Sequence, residues 1–138
     1  KDMGAIMFSA VGEEHWDEDV FISFFQEKIE KDFEIRCFYL NGKIWSFAII
    51  SQNDEQTKVD FRKYNIQVPN RNVRYQLPRS VEENIHILMK TIDLNCGSID
   101  IIKSKEKFYF LEVNVVGQFL SLSDTCNYSL DKEFAKYL

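Results

Sequence analysis

The period of hydrophobic and polar positions changes several times along the chain. From Val20 to Phe25 the run VFISFF carries no charge, which suits a strand buried on both faces or a short helix. Glu34, Arg36, Phe38 and Leu40 then alternate with Ile35, Cys37 and Tyr39, Asn41-Gly42 follows, and the apolar-rich KIWSFAII returns. An Asn-Gly pair supplies the two positive-φ positions of a type I′ turn, so a hairpin is predicted here. Residues 80–92 change to helical spacing: Val81, Ile85, Leu88, Met89 and Ile92 form one stripe. Ser80 and Glu83 have the spacing of a capping box at its start, and Gly97 can take the left-handed conformation that ends a helix. Two further strands, SIDII (98–102) and FYFLEVN (108–114), flank the charged turn from Lys103 to Lys107. A last helix is expected over residues 129–138. Strands, helix, strands, helix make the class α+β, an antiparallel β-sheet packed with helices.

Two stretches lack a clean period. Residues 1–19 carry the acidic cluster Glu13, Glu14, Asp17, Glu18 and Asp19 around His15 and Trp16 and read as a loop or partly ordered lead-in. Residues 51–79 are polar, hold both prolines (Pro69, Pro78) and four of the arginines (Arg62, Arg71, Arg74, Arg79), and carry weak strand signals. A connection of that length is more often functional than idle.

At 138 residues and 16.4 kDa the chain is one domain's worth. No apolar run approaches the roughly 20 residues of a membrane-crossing helix, and no signal peptide opens the chain. A net charge of -5 and a pI near 5.1 speak against a nucleic-acid binder. Cys37, Cys96 and Cys126 have no CxxC spacing, and two histidines are too few for a Cys/His zinc site. Packed thiols in a reducing cytoplasm are expected. The chain begins at Lys1, which suggests part of a longer protein.

One constellation carries chemistry. Glu112 and Asn114 are two apart in a strand and share a face, and Asp100 in the preceding strand can join them across a hairpin. Two carboxylates and an amide oxygen are hard donors suited to Mg²⁺, which keeps waters or phosphate oxygens as its other ligands. Asp and Asn at strand ends also serve turns and caps. Here Ile99, Ile101, Leu111 and Val113 flank the acids, and carboxylates on buried strands are costly without a cation.

The stretch FQEKIEKDFEIRCFYLNGKIWSFAI, DFR at residues 60–62, LNCGSIDII and FLEVNVVGQF together resemble the carboxy-terminal half of an ATP-grasp ligase. DFR, the segment from Arg74 to Pro78, and EVN followed by Gly117-Gln118-Phe119 resemble more narrowly the grasp-with-spasm (graspetide, microviridin-type) peptide maturases. The resemblance runs from about residue 20 to the end, making residues 20–138 one ATP-grasp carboxy-terminal subdomain. It implies ATP and Mg²⁺ as cofactors. Gln26, Glu27, Lys28 and Ile29 would form the hinge that holds adenine, with Ile29 on the ring, and Glu34 would accept from the ribose hydroxyls. Asp100, Glu112 and Asn114 match the Mg²⁺ ligands. Arg62 resembles the arginine that steadies the γ-phosphate or an acyl phosphate by bidentate hydrogen bonds. Arg74 is a substrate-contact candidate. So is Arg36, which shares the face of Glu34 and could pair with it. Val115 stands where a proline commonly follows EVN.

The implied reaction is attack of a substrate carboxylate on the γ-phosphorus, followed by displacement of phosphate by an amine or hydroxyl, giving a side-chain ester or amide crosslink in a ribosomally made precursor peptide. Nothing in the chain matches the amino-terminal lobe, whose lysines clamp the phosphates. That lobe is an expected partner, and the chain alone is expected to be inactive. Apolar surface at the missing interface would favour a homo-oligomer. Two alternatives stand beside this reading: a RimK-like ligase adding an amino acid to a protein or peptide carboxylate, and a non-catalytic nucleotide-binding or interaction module.

Overall fold

The computed structural model describes residues 25–52, 55, 58–60, 63, 65–67, 69–115 and 117–137. The expected lead-in and nearly all of the VFISFF run lie outside these residues, as does Arg62. Five strands form one antiparallel sheet: β1 Phe33–Leu40, β2 Lys43–Ile50, β3 Arg71–Arg74, β4 Cys96–Ser104 and β5 Lys107–Asn114, in the order β3-β2-β1-β4-β5. The helices are α1 Arg79–Thr91, α2 Leu120–Cys126 and α3 Leu130–Ala135. The α+β class expected from the sequence is the one observed.

The β1–β2 hairpin forms as its turn chemistry demands, with Asn41 at φ 45° and Gly42 at φ 82°. β1 and β4 lie in the middle of the sheet and are buried on both faces. Register assigns the faces. Ile35, Cys37, Tyr39, Ile99 and Ile101 point to one side, where Ile85 and Met89 of α1 and Leu77 close a core. Phe38, Leu40, Phe47 and Ile49 point to the other, against Leu122 and Cys126 of α2 and Leu130 of α3. Full burial of each such aliphatic or aromatic side chain contributes about 1.5–3 kcal/mol. The architecture is therefore three layers, with the second helical layer covering only part of its face.

Helix α1 departs from expectation at both ends. Pro78 precedes it with φ -60° and ψ 144°, and no side chain caps it. Glu83 accepts instead from Arg79 Nε at 3.0 Å, so the expected Ser80/Glu83 capping box is not formed. At the other end Asp93, at φ 54°, takes the left-handed position expected for Gly97. The Leu94 amide then donates to the Met89 carbonyl at 2.9 Å and the Asp93 amide to that of Lys90 at 3.3 Å, a Schellman closure. Gly97 lies inside β4. A Cβ there would meet the Asn114 carbonyl oxygen and Val113 Cγ1, each at 3.3 Å, so its role is close strand approach.

Strand β5 carries one irregularity. Ile101 pairs with Phe110 but Asp100 pairs with Glu112, so Leu111 is an extra residue in a β-bulge. Phe108 and Phe110 therefore face the α1 side, whereas Glu112 and Asn114 face the other.

Candidate active site

On the second face, beside the cluster that packs against α2 and α3, polar side chains line up across the strands. Arg36 on β1 is the register partner of Asp100 on β4, which is the partner of Glu112 on β5. The next row holds Phe38, Ser98 and Asn114. The sheet thus brings Asp100, Glu112 and Asn114 to one face at adjacent positions, where opposed residues stand about 4.5–5.5 Å apart. Asp100 is buried and Glu112 and Asn114 are exposed, so the trio has a buried back and an open front. Among the described residues no three of His, Cys, Asp and Glu gather as an ion site by themselves. Two carboxylates with an amide oxygen fit an ion that takes few protein donors and completes its shell with phosphate or water, which is the behaviour of Mg²⁺.

Arg36 does not pair with Glu34. Its Nε donates to Asp100 Oδ1 at 2.8 Å and its Nη2 to Oδ2 at 2.7 Å, a two-pronged contact with both side chains mostly buried. The Asp100 carboxylate, with Glu112 and Glu34 nearby, holds the Arg36 guanidinium above its ordinary value against the opposing effect of burial. Glu34, one row along the same face, pairs with Lys31. Lys31 is a buried lysine that carried no sequence signal, and its Nζ also donates to the Val59 carbonyl at 2.9 Å. Burial pushes the Glu34 carboxyl up, offset in part by Lys31 and reinforced by Asp100 and Asp60. Asp60, first residue of the DFR motif, is itself buried and lies within electrostatic reach of Glu34.

Residues Gln26, Glu27, Lys28 and Ile29 lead into β1 without regular structure, Ile29 partly buried and the other three exposed. This approach is pinned to the β4–β5 turn: the Asp32 amide donates to the Lys103 carbonyl at 2.8 Å, and Asp32 Oδ2 accepts from the Lys105 amide at 2.7 Å. Arg74 is placed elsewhere. From edge strand β3 its Nε donates to the Cys126 carbonyl at 2.5 Å and its Nη2 to that of Asn127 at 2.7 Å, at the C-terminus of α2, and its guanidinium lies 4.7 Å from the Tyr128 ring centroid. Ser98, also unanticipated, presents a buried hydroxyl with no hydrogen-bond partner among the described residues, next to Asn114.

A family model for the RimK-like ATP-grasp domain matches residues 13–138. The chain belongs to the RimK-like ATP-grasp family. Its sheet and helices are an ATP-grasp domain fold. A RiPP-associated ATP-grasp ligase of Chryseobacterium gregarium, solved in complex with ADP and a leader and core peptide, is 33% identical with a TM-score of 0.67 over 72% of this chain and 30% of its own. The macrocyclase MdnC of Microcystis aeruginosa MRC, bound with precursor peptide MdnA, is 30% identical with a TM-score of 0.63, covering 80% of this chain and 31% of its own. The macrocyclase MdnB of the same organism is 25% identical with a TM-score of 0.64, covering 83% and 40%. This ATP-grasp chain thus spans about a third of the length of the solved structures it matches. No curated protein matches it. Among the described residues no helix is long and apolar enough to cross a membrane.

Proposed function

We propose that this chain is the nucleotide- and metal-binding part of an ATP- and Mg²⁺-dependent ligase that crosslinks side chains of a ribosomally made precursor peptide. The observation that carries the reading is the convergence of Asp100, Glu112 and Asn114 on one sheet face of an ATP-grasp fold. Similarity to two macrocyclases and a RiPP-associated ligase supports the peptide substrate. Gln26 to Ile29 supply backbone groups and an apolar contact to adenine, and Glu34 accepts from the ribose. Asp100, Glu112 and Asn114 hold Mg²⁺, which when bound would offset phosphate charge. Arg62 steadies the transferred phosphoryl group. The substrate carboxylate attacks the γ-phosphorus of ATP, releasing ADP and forming an acyl phosphate, and a lysine amine or a Ser or Thr hydroxyl attacks the acyl carbon and displaces inorganic phosphate. The remainder of the longer enzyme supplies the phosphate-clamping lobe. Free thiols at Cys37, Cys96 and Cys126 support a reducing, cytoplasmic setting.

The test is reconstitution of the intact protein with a candidate precursor peptide rich in Thr, Lys, Asp and Glu, ATP and Mg²⁺, read by mass spectrometry. Loss of one water per crosslink, abolished by Asp100→Ala and by Glu112→Ala, is expected. A mass gain of one amino-acid residue would instead establish the amino-acid-adding ligase that the RimK-like family description keeps in view. Full turnover by both variants would overturn the metal assignment.

A further inference from the structure

The Arg36 fork on Asp100 has no counterpart in the roles assigned so far. It takes both oxygens of the buried carboxylate, and it does so from the neighbouring strand, so the guanidinium is locked by β1–β4 register. A carboxylate offers about four lone-pair sites, two on each oxygen. The fork uses one on each and leaves one on each for another ligand. It thereby fixes the plane of the carboxylate, and it balances one of the two negative charges that Asp100 and Glu112 present to a cation. What remains between those two acids is one net negative charge, which is weak recruitment for a hydrated dication.

Building on the metal reading above, we propose that Arg36 is a positioning residue for Asp100, and that its charge makes the site take a divalent cation together with a nucleotide polyphosphate and not from solution alone. Arg36 is not required to touch substrate for this role. It aims one ligand, and it leaves the phosphates to supply the negative charge that completes the site.

The experiment measures Mn²⁺, which accepts the same oxygen donors, by loss of the free-ion electron paramagnetic resonance signal on titration with the intact protein, without ADP and with it, the latter counted as loss beyond that caused by the same ADP without protein. Wild type is expected to take up Mn²⁺ with ADP and to leave Mn²⁺ alone largely free. Arg36→Gln is expected to bind Mn²⁺ alone at least about tenfold tighter than wild type, because a like charge beside the ion is gone. Arg36→Lys keeps the charge and loses the fork. It should bind Mn²⁺ alone as weakly as wild type and lose several-fold in Mn²⁺ affinity with ADP. Unchanged affinity for Mn²⁺ alone in Arg36→Gln, or wild-type affinity with ADP in Arg36→Lys, overturns the proposal. If circular dichroism shows Arg36→Gln unfolded, the Lys variant decides. Absence of Mn²⁺ uptake by wild type even with ADP, when ADP itself binds, sinks the Asp100, Glu112 and Asn114 assignment and this proposal with it, whereas the other failures leave that assignment standing.

Discussion

Arg74→Ala should weaken the fold by about 2 kcal/mol. The guanidinium makes two charge-assisted hydrogen bonds to carbonyls at the end of α2 and lies against the Tyr128 ring. Hydrogen bonds to a charged donor contribute roughly 1.5–3 kcal/mol each when buried, but Arg74 is exposed, which lowers each to about 0.5–1 kcal/mol. Stacking on tyrosine contributes about 0.5–1 kcal/mol, and a cation at a helix C-terminus about 0.3–1 kcal/mol. These overlap, because one side chain makes all of them, and about 2 kcal/mol is the result. The assay is equilibrium urea unfolding. With a slope of about 2 kcal/mol per molar for a domain of this size, the midpoint should fall by about 1 M. Arg74→Lys, which reaches one carbonyl and stacks less well, should lose about half as much. Arg71→Ala, the other exposed arginine of the same strand, should stay within about 0.5 kcal/mol of wild type. An unchanged midpoint for Arg74→Ala, combined with lost peptide modification, would refute the structural tie and return Arg74 to substrate contact.

Asp93→Gly should raise stability by about 0.5–1 kcal/mol in the same urea assay, since Asp93 holds a left-handed conformation that glycine adopts without strain. Burial holds the Glu34 carboxyl above the ordinary glutamate range. Its contribution is therefore fully present below that range and is lost as pH rises through the folded value. The stability of wild type relative to Glu34→Gln should fall as pH increases through that window, and a rising difference would contradict the assignment. Cys37 is fully buried and burial pushes its thiol up. It should resist a thiol-specific disulfide reagent until the chain unfolds, whereas reaction on the timescale of exposed thiols would refute its packing.

The elements legible in the sequence were those whose local chemistry agrees with their tertiary setting. The β1–β2 hairpin was visible because Asn41-Gly42 leaves the backbone few options, and the stripe of α1 because Ile85 and Met89 face one core. Helix α2 was not legible. LSLSDTC is rich in poor helix formers, and it is held by Leu122 and Cys126 in the core and by the Ser123 hydroxyl accepting from the Leu130 amide at 2.9 Å. At the candidate site, the shared face of Glu112 and Asn114 followed from spacing, and the place of Asp100 beside them from the hairpin. The partner of Arg36 did not follow. Glu34 is two residues along the same strand, farther than the residue directly across the ladder, and that residue, Asp100, is 64 positions away in sequence. No local pattern encodes the β1–β4 register that joins them.

The bulge at Leu111 makes the length of β5 matter more than its composition. Phe108, Phe110, Glu112 and Asn114 all occupy even positions, so an unbroken ladder would send the aromatic rings and the Glu112 and Asn114 side chains to the same side. The one surplus residue inverts the parity between them. Leu111 is exposed, so many side chains would serve there, but its deletion would either turn Glu112 and Asn114 toward the α1 side or turn Phe108 away from the core it packs against. Two chains that share this site can therefore differ freely at that position in identity, and not in count.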